Sequence, residues 1–398
     1  LAWHIGEESF IKDNVEWMDM LKLRASYGAN GNQAIIAYRT LDRLYSKVKY
    51  IWGDGGAAVN TAYLPGDGIG NPNLKWETTY TANIALDFQF FKGRLGGTLE
   101  AYLSNTHDLL MDRSVPIMNG YNRIMDNIGQ TRNKGIEITL NTVNVKNRDF
   151  NWSTDLNFSL NRDKIIELRD DKRDDISNKW FIGEPLRVFY DYNVIGLWQK
   201  DDEYFYTDDN GVQKSIQAGA APGAAKVEDV DGNGYIDAKD KKVIGSKLPD
   251  FTMSMGNKLT YKQLYFSFLV NGVFGVWRED NVANVGSWAY STTNYVHGAN
   301  YWTPENTDAD IVSPGYVNTL GHGYYKKQTY VQIKNITLGY NIDRKLVNKL
   351  HLSSVNVNLS INNLHTFSNM RQILNYDNGW MASYPTARSY MLGLNINF

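Results

Sequence analysis

Short runs of this chain alternate apolar and polar residues with a period of two, and helical periodicity is nearly absent. Val355, Val357, Leu359 and Ile361 interleave with Asn356, Asn358, Ser360 and Asn362. Ile84, Leu86, Phe88 and Phe90 alternate with Ala85, Asp87 and Gln89, and Leu156, Phe158 and Leu160 with Asp155, Asn157, Ser159 and Asn161. The last run sets Tyr390, Leu392, Leu394, Ile396 and Phe398 against Met391, Gly393, Asn395 and Asn397. Successive side chains of a strand point to opposite faces, so each run predicts a strand with one apolar and one polar face. About eleven such strands are expected. One of them slips parity: Val331 and Ile333 are odd-numbered, whereas Ile336, Leu338 and Tyr340 are even. An extra residue near Lys334-Asn335 would return both sets to a common face, so a β-bulge is expected there.

Alternation alone does not say what lies against the apolar face. A second sheet would make a soluble sandwich, and lipid would make a membrane barrel. The connections favour the barrel. Short turns join some strands, at Phe91–Leu95, Val145–Asp149 and Tyr261–Leu264, while long stretches separate the pairs near 29–75, 104–133, 162–250, 273–329 and 364–388. Compact soluble domains rarely tolerate loops beyond ~15 residues. Short turns on one rim and long loops on the other are the pattern of outer-membrane barrels. No apolar run approaches the ~18 residues a membrane helix needs. Mean hydropathy is −0.44, as a barrel with one polar face requires. The expected fold is therefore all-β, a transmembrane antiparallel barrel with long extracellular loops and short periplasmic turns.

Charge and reactive residues narrow the function. Lys and Arg number 41 against 43 Asp and Glu, so no basic surface points to nucleic acid. With no cysteine there is no disulfide or thiolate chemistry. The six histidines show no HExxH spacing and no GxSxG occurs, so no enzyme is expected. Gly53–Gly56 and Gly66–Gly68 are read as turns and not phosphate loops. Leu1-Ala-Trp-His-Ile opens with no charged and apolar leader, and the chain reads as a piece of a longer protein.

Two sets of residues carry local chemistry. The segment 229–240 follows calcium-loop spacing: Asp229, Asp231 and Asn233 at positions 1, 3 and 5, Gly234 at the sharp turn, the Tyr235 carbonyl at 7 and Asp240 at 12. Asp in place of Glu at position 12 shortens the bidentate reach. No helical pattern flanks the loop, so a bound calcium would be structural; an ion-free Asp/Asn/Gly turn is the alternative. The second set is aromatic. Trp152, Phe158 and Tyr340 fall within strands, as interfacial girdles do. Trp52, Trp180, Trp277, Trp288, Trp302 and Trp380 fall in the long stretches, and among these Trp52, Trp277, Trp288, Trp302 and Trp380 are the candidates to stack on a cargo; packing of loop against loop is the alternative.

Several segments in order resemble the SusC/RagA-like TonB-dependent transporters of the Gram-negative outer membrane. They are Leu21-Lys-Leu-Arg-Ala-Ser-Tyr-Gly28, Asn71-Pro-Asn-Leu-Lys-Trp-Glu77, Asn127-Ile-Gly129 with Asn133-Lys-Gly-Ile-Glu137, and Tyr301-Trp-Thr-Pro-Glu-Asn306. Further on come Tyr330–Tyr340, Asn362-Asn-Leu364, Tyr384-Pro385 and the terminal Phe398. The resemblance implies a 22-stranded barrel of which residues 1–398 are the C-terminal portion, roughly half the strands, without the plug or the TonB-contacting segment. It also implies import of oligosaccharides, or else peptides, with a SusD-like lipoprotein lid, energy from TonB, and paired transporter–lipoprotein units in outer-membrane lipid. The terminal strand, with Tyr390, Leu394 and Phe398, is expected to be read by the barrel-assembly machinery. A siderophore or cobalamin receptor, and a secreted β-sandwich adhesin or carbohydrate-binding protein, are the competing readings.

Overall fold

The computed structural model describes the whole chain except residues 34, 36, 43, 52–57, 66–68, 122, 169–171, 281–282, 285–297, 350 and 371–385. Eleven strands form one sheet: β1 (Ala2–Trp3), β2 (Met18–Asn32), β3 (Glu77–Phe90), β4 (Leu95–His107), β5 (Gln130–Lys146), β6 (Phe150–Glu167), β7 (Phe251–Tyr261), β8 (Leu264–Glu279), β9 (Tyr325–Asn341), β10 (Ser354–Ser368) and β11 (Ser389–Asn397). Spatial order follows chain order and every neighbouring pair is antiparallel, an up-and-down meander. Strands from β2 to β10 run 11 to 18 residues, enough to cross a hydrocarbon layer that needs ~9–11.

The registers gather the apolar sets onto one continuous face. One row runs Leu23, Leu86, Leu99, Ile138, Phe158, Met253 across β2 to β7. Another runs Phe266, Leu338, Leu359, Leu392 across β8 to β11. The opposite face is polar over the same span, as in the row Lys22, Asp87, Thr98, Thr139, Asn157, Ser254, Asn271, Gln332. Its side chains bond along the row and across it: Thr337 to Ser360 at 2.8 Å, Asn335 to Asn362 at 2.7 Å, and Asn141 to Asp155 at 2.7 Å. The parity slip resolves as expected. Lys334 is skipped where Leu269 and Val270 pair with Asn335 and Ile333, which returns Val331 and Ile333 to the face of Ile336 and Leu338.

Among the described residues much of this apolar face is uncovered. Leu338, Leu359, Leu392 and Leu394 are all exposed, and a water-soluble monomer rarely shows a contiguous apolar patch beyond a few hundred Å². A sandwich would lay a second sheet over it. The other sheets among the described residues have two strands each and belong to the connections. Lipid fits the exposed face, and the sandwich does not.

Four connections differ from the sequence reading. The stretches expected to be irregular carry hairpins of their own: Leu44–Ile51 with Ala58–Pro65, Leu110–Ser114 with Arg123–Asn127, Val188–Tyr192 with Lys241–Ser246, Val194–Leu197 with Ala225–Val227, and Phe205–Thr207 with Gln213–Ser215. Apart from the first pair, of eight residues each, these strands run three to six residues and leave too few alternations to detect. On the short-turn rim, the connection from β9 to β10 holds a helix, Arg344–Lys349, whose one buried residue is Val347.

Candidate functional site

The 229–240 segment folds as a closed loop between the Ala225–Val227 and Lys241–Ser246 strands. Asp229 takes two backbone N–H bonds, from Gly232 at 2.8 Å and Gly234 at 2.8 Å, and Asp231 accepts from the Asn233 N–H at 3.2 Å. Gly234 has φ +87°, a left-handed turn that glycine enters without a Cβ clash. Ile236, next after the Tyr235 position, donates its N–H to Ile216 O at 2.7 Å and ties the loop to its neighbour. Asp240 is fully buried; one carboxylate oxygen accepts from Val230 N at 2.8 Å and the other from Asp237 N at 2.7 Å. Asp229, Asp231 and Asp240 bring one oxygen each within 4.8 Å of one another. Ligands ~2.4 Å from one centre lie at most ~4.8 Å apart, so the spacing of these three oxygens meets that limit for one calcium ion. None of the three is in an ion pair among the described residues.

The long connections share a core that sequence reading did not find. Trp198, Ala224, Ala225, Ala283, Ile311, Val312, Tyr316 and Tyr324 pack together. They come from segments far apart in the chain, so no local period announces them. Against Tyr316 and Tyr324 sits buried His322, whose Nε2 lies 3.3 Å from the Tyr316 hydroxyl and whose Nδ1 is without a partner. Burial holds the His322 imidazole below its usual range, opposed in part by the Gly323 backbone and by Asp191, and pushes the Tyr316 hydroxyl up to about 12. His322 is therefore part of the packed loop core.

Tertiary structure separates the candidate stacking tryptophans. Trp302 is only 7% exposed and donates its indole N–H to Gln199 at 3.2 Å, so it offers no open ring face. Trp277 lies within β8 rather than in a loop, half-buried over Gly245. Trp52, Trp288 and Trp380 lie outside the described residues. Of the girdle residues, Trp152 and Tyr340 stand exposed at the short-turn rim, and Trp152 donates to Asn257 at 2.8 Å.

A family model described as TonB dependent receptor-like, beta-barrel, matches residues 12–364. The chain belongs to the TonB-dependent receptor β-barrel family. Along its whole length it is 33% identical to TonB-dependent receptor P26 of Formosa agariphila, covering 42% of that protein. It is also 29% identical to TonB-dependent receptor SusC of Bacteroides thetaiotaomicron, covering 39% of it. Among solved structures, the RagAB peptide importer in its open-open state superposes with a TM-score of 0.76 at 22% identity, over the whole chain and 42% of that one. The chain thus spans about two-fifths of the curated relatives it matches.

As a TonB-dependent receptor barrel the chain resides in the outer membrane, and its family is one of transporters rather than enzymes. In this barrel portion β11 pairs with β10 along one edge, from Ser389↔Asn362 to Asn397↔Ser354. Tyr390 and Leu394 point to the lipid face, and Phe398 is almost fully exposed just beyond the strand.

Proposed function

We propose that this chain is the C-terminal portion of the barrel of a TonB-dependent importer that works with a SusD-like surface lipoprotein. The observation that carries the reading is the eleven-strand meander with a lipid face on one side and a largely polar wall on the other. Such a wall lines a wet passage, not a protein core. TonB would act on parts of the protein preceding this barrel portion, and the assembly machinery would engage the terminal strand with Tyr390, Leu394 and Phe398. The cargo we propose is a neutral oligosaccharide: the wall rows are rich in Asn, Ser and Thr, which match sugar hydroxyls without a fixed charge. A peptide is the second reading, since the RagAB structures of similar fold are named for peptide import. The complete transporter, purified with its lipoprotein partner, should bind neutral oligosaccharides in calorimetry. Peptides co-purifying in the cavity, with no measurable glycan binding, would remove the glycan assignment.

We also propose that the loop formed by Asp229, Asp231, Asn233, Tyr235 and Asp240 takes a structural calcium ion. The mutual approach of three carboxylate oxygens supports this, together with the uncompensated negative charge. An ion at a hundredfold excess over its Kd stabilises the loop by about 2.7 kcal/mol. Chelation of the intact transporter should therefore expose 213–246 to proteases, and Asp229→Asn with Asp231→Asn should produce the same cleavage without chelator. Equal protease resistance with and without calcium would leave only a turn.

A further inference from the structure

We propose that the outward face of β5 and β6 binds the phosphate headgroup of an outer-leaflet lipid through Arg132, Lys134, Arg162 and Lys164. The register places these four in a two-by-two block: Lys134 is directly opposite Arg162, and Arg132 directly opposite Lys164. All four have the parity of Ile136, Ile138, Leu156 and Phe158, so they project from the lipid face and away from the passage. The next row down is Ile136 opposite Leu160, and Leu103 lies beside Lys134. The block sits at the long-loop end of both strands, because β5 begins at Gln130 and β6 ends at Glu167.

Height and charge together identify the occupant. Trp152, at the short-turn rim of β6, is ten residues below Arg162. At ~3.3 Å per residue and a tilt near 40°, that is about 25 Å, the height of the apolar band of such barrels. The cations therefore stand where hydrocarbon gives way to headgroups. Like charges directly opposite on neighbouring strands repel, and a low-dielectric border strengthens the repulsion. Compensation from the protein is slight. Arg162 approaches Asp250 at 3.6 Å, but Lys327 holds the other oxygen of that carboxylate at 2.7 Å. Arg132 donates to Asn105 at 2.8 Å, a neutral acceptor. Lys134 and Lys164 are exposed and make no hydrogen bond or ion pair among the described residues. A phosphate has the acceptor oxygens and the charge to bridge all four groups. Below it Leu103 and Ile136 are exposed at 40% and 48%, which gives acyl chains an apolar wall and favours a lipid over a dissolved ion.

The test uses the complete transporter in phosphatidylcholine vesicles with and without lipid A, the phosphorylated glycolipid of that leaflet. Lipid A should raise the unfolding midpoint of the wild type and remain bound after detergent exchange. Arg132→Gln, Lys134→Gln and Lys164→Gln together should weaken retention about a hundredfold, each cation near an anionic surface contributing roughly fivefold. In phosphatidylcholine alone the triple variant should be at least as stable as the wild type, because the repulsion is gone. Three results would overturn the proposal: wild-type lipid A retention by the variant, equal destabilisation of the variant in both vesicles, or the same midpoint rise from inorganic phosphate alone.

Discussion

Leu359→Arg will destabilise the barrel by about 2–4 kcal/mol, the cost of a lipid-facing arginine near mid-membrane, while Asn358→Arg, one residue away, will cost far less. Leu359 stands between Leu338 and Leu392 on the uncovered apolar face. Asn358 points to the other face and donates to Asn356 at 3.0 Å, where water can solvate a guanidinium. Urea unfolding in vesicles reads the difference directly. The same parity is open to labelling, since the chain has no native cysteine: a cysteine at 358 should react with a water-soluble reagent and one at 359 should not. Equal cost, or equal labelling, at both positions would undo the assignment of faces.

Gly339→Val should cost about 1–3 kcal/mol by overpacking, and most of that cost should vanish when Tyr265 is also replaced by Ala. Gly339 lies directly opposite Tyr265 on the polar face, and a Cβ there would overlap the tyrosine ring. Tyr265 is also held by its hydroxyl, which donates to Asn356 at 3.3 Å, so the ring has little room to retreat. The same device recurs where Tyr102 covers Gly135 and donates to Asn161 at 3.0 Å. An aromatic ring over a cross-strand glycine covers backbone the glycine leaves bare and pins the register. Gly28 is the control: nothing lies within 4 Å of a Cβ built there, so Gly28→Ala should be nearly neutral. A Gly339→Val penalty that persists in full without the Tyr265 ring would show that the crowding lies elsewhere.

Much of the wall was legible beforehand. The alternating runs became β3, β6, β10 and β11, the main sheet of the described residues has about the eleven strands expected, and the skipped residue fell at Lys334. Short turns and long connections alternate on the two rims, apart from the helix at Arg344–Lys349 and the β1–β2 connection, which holds Ile5–Glu7 and Ser9–Lys12. In the 229–240 segment the oxygens of Asp229, Asp231 and Asp240 lie close together, and the ion there is a proposal. Two of the candidate tryptophans, Trp302 and Trp277, lie elsewhere than expected for a physical reason: hydrophobicity and position do not say which ring another segment will cover. Trp302 was taken up by packing beside Gln199, and Trp277 belongs to a strand that runs past the membrane band.

Face parity is local, because the alternation of a strand follows from its own backbone dihedrals, and the sequence by itself therefore determined which residues would meet lipid and which would meet water. Register is not local. Arg132 and Lys134 are two unexceptional surface cations until pairing sets them opposite Lys164 and Arg162, and Gly339 says nothing of Tyr265, 74 residues earlier, until β8 and β9 align. Those contacts depend on which strands pair and at what offset, a choice settled by the whole sheet at once, and only the tertiary structure decided them.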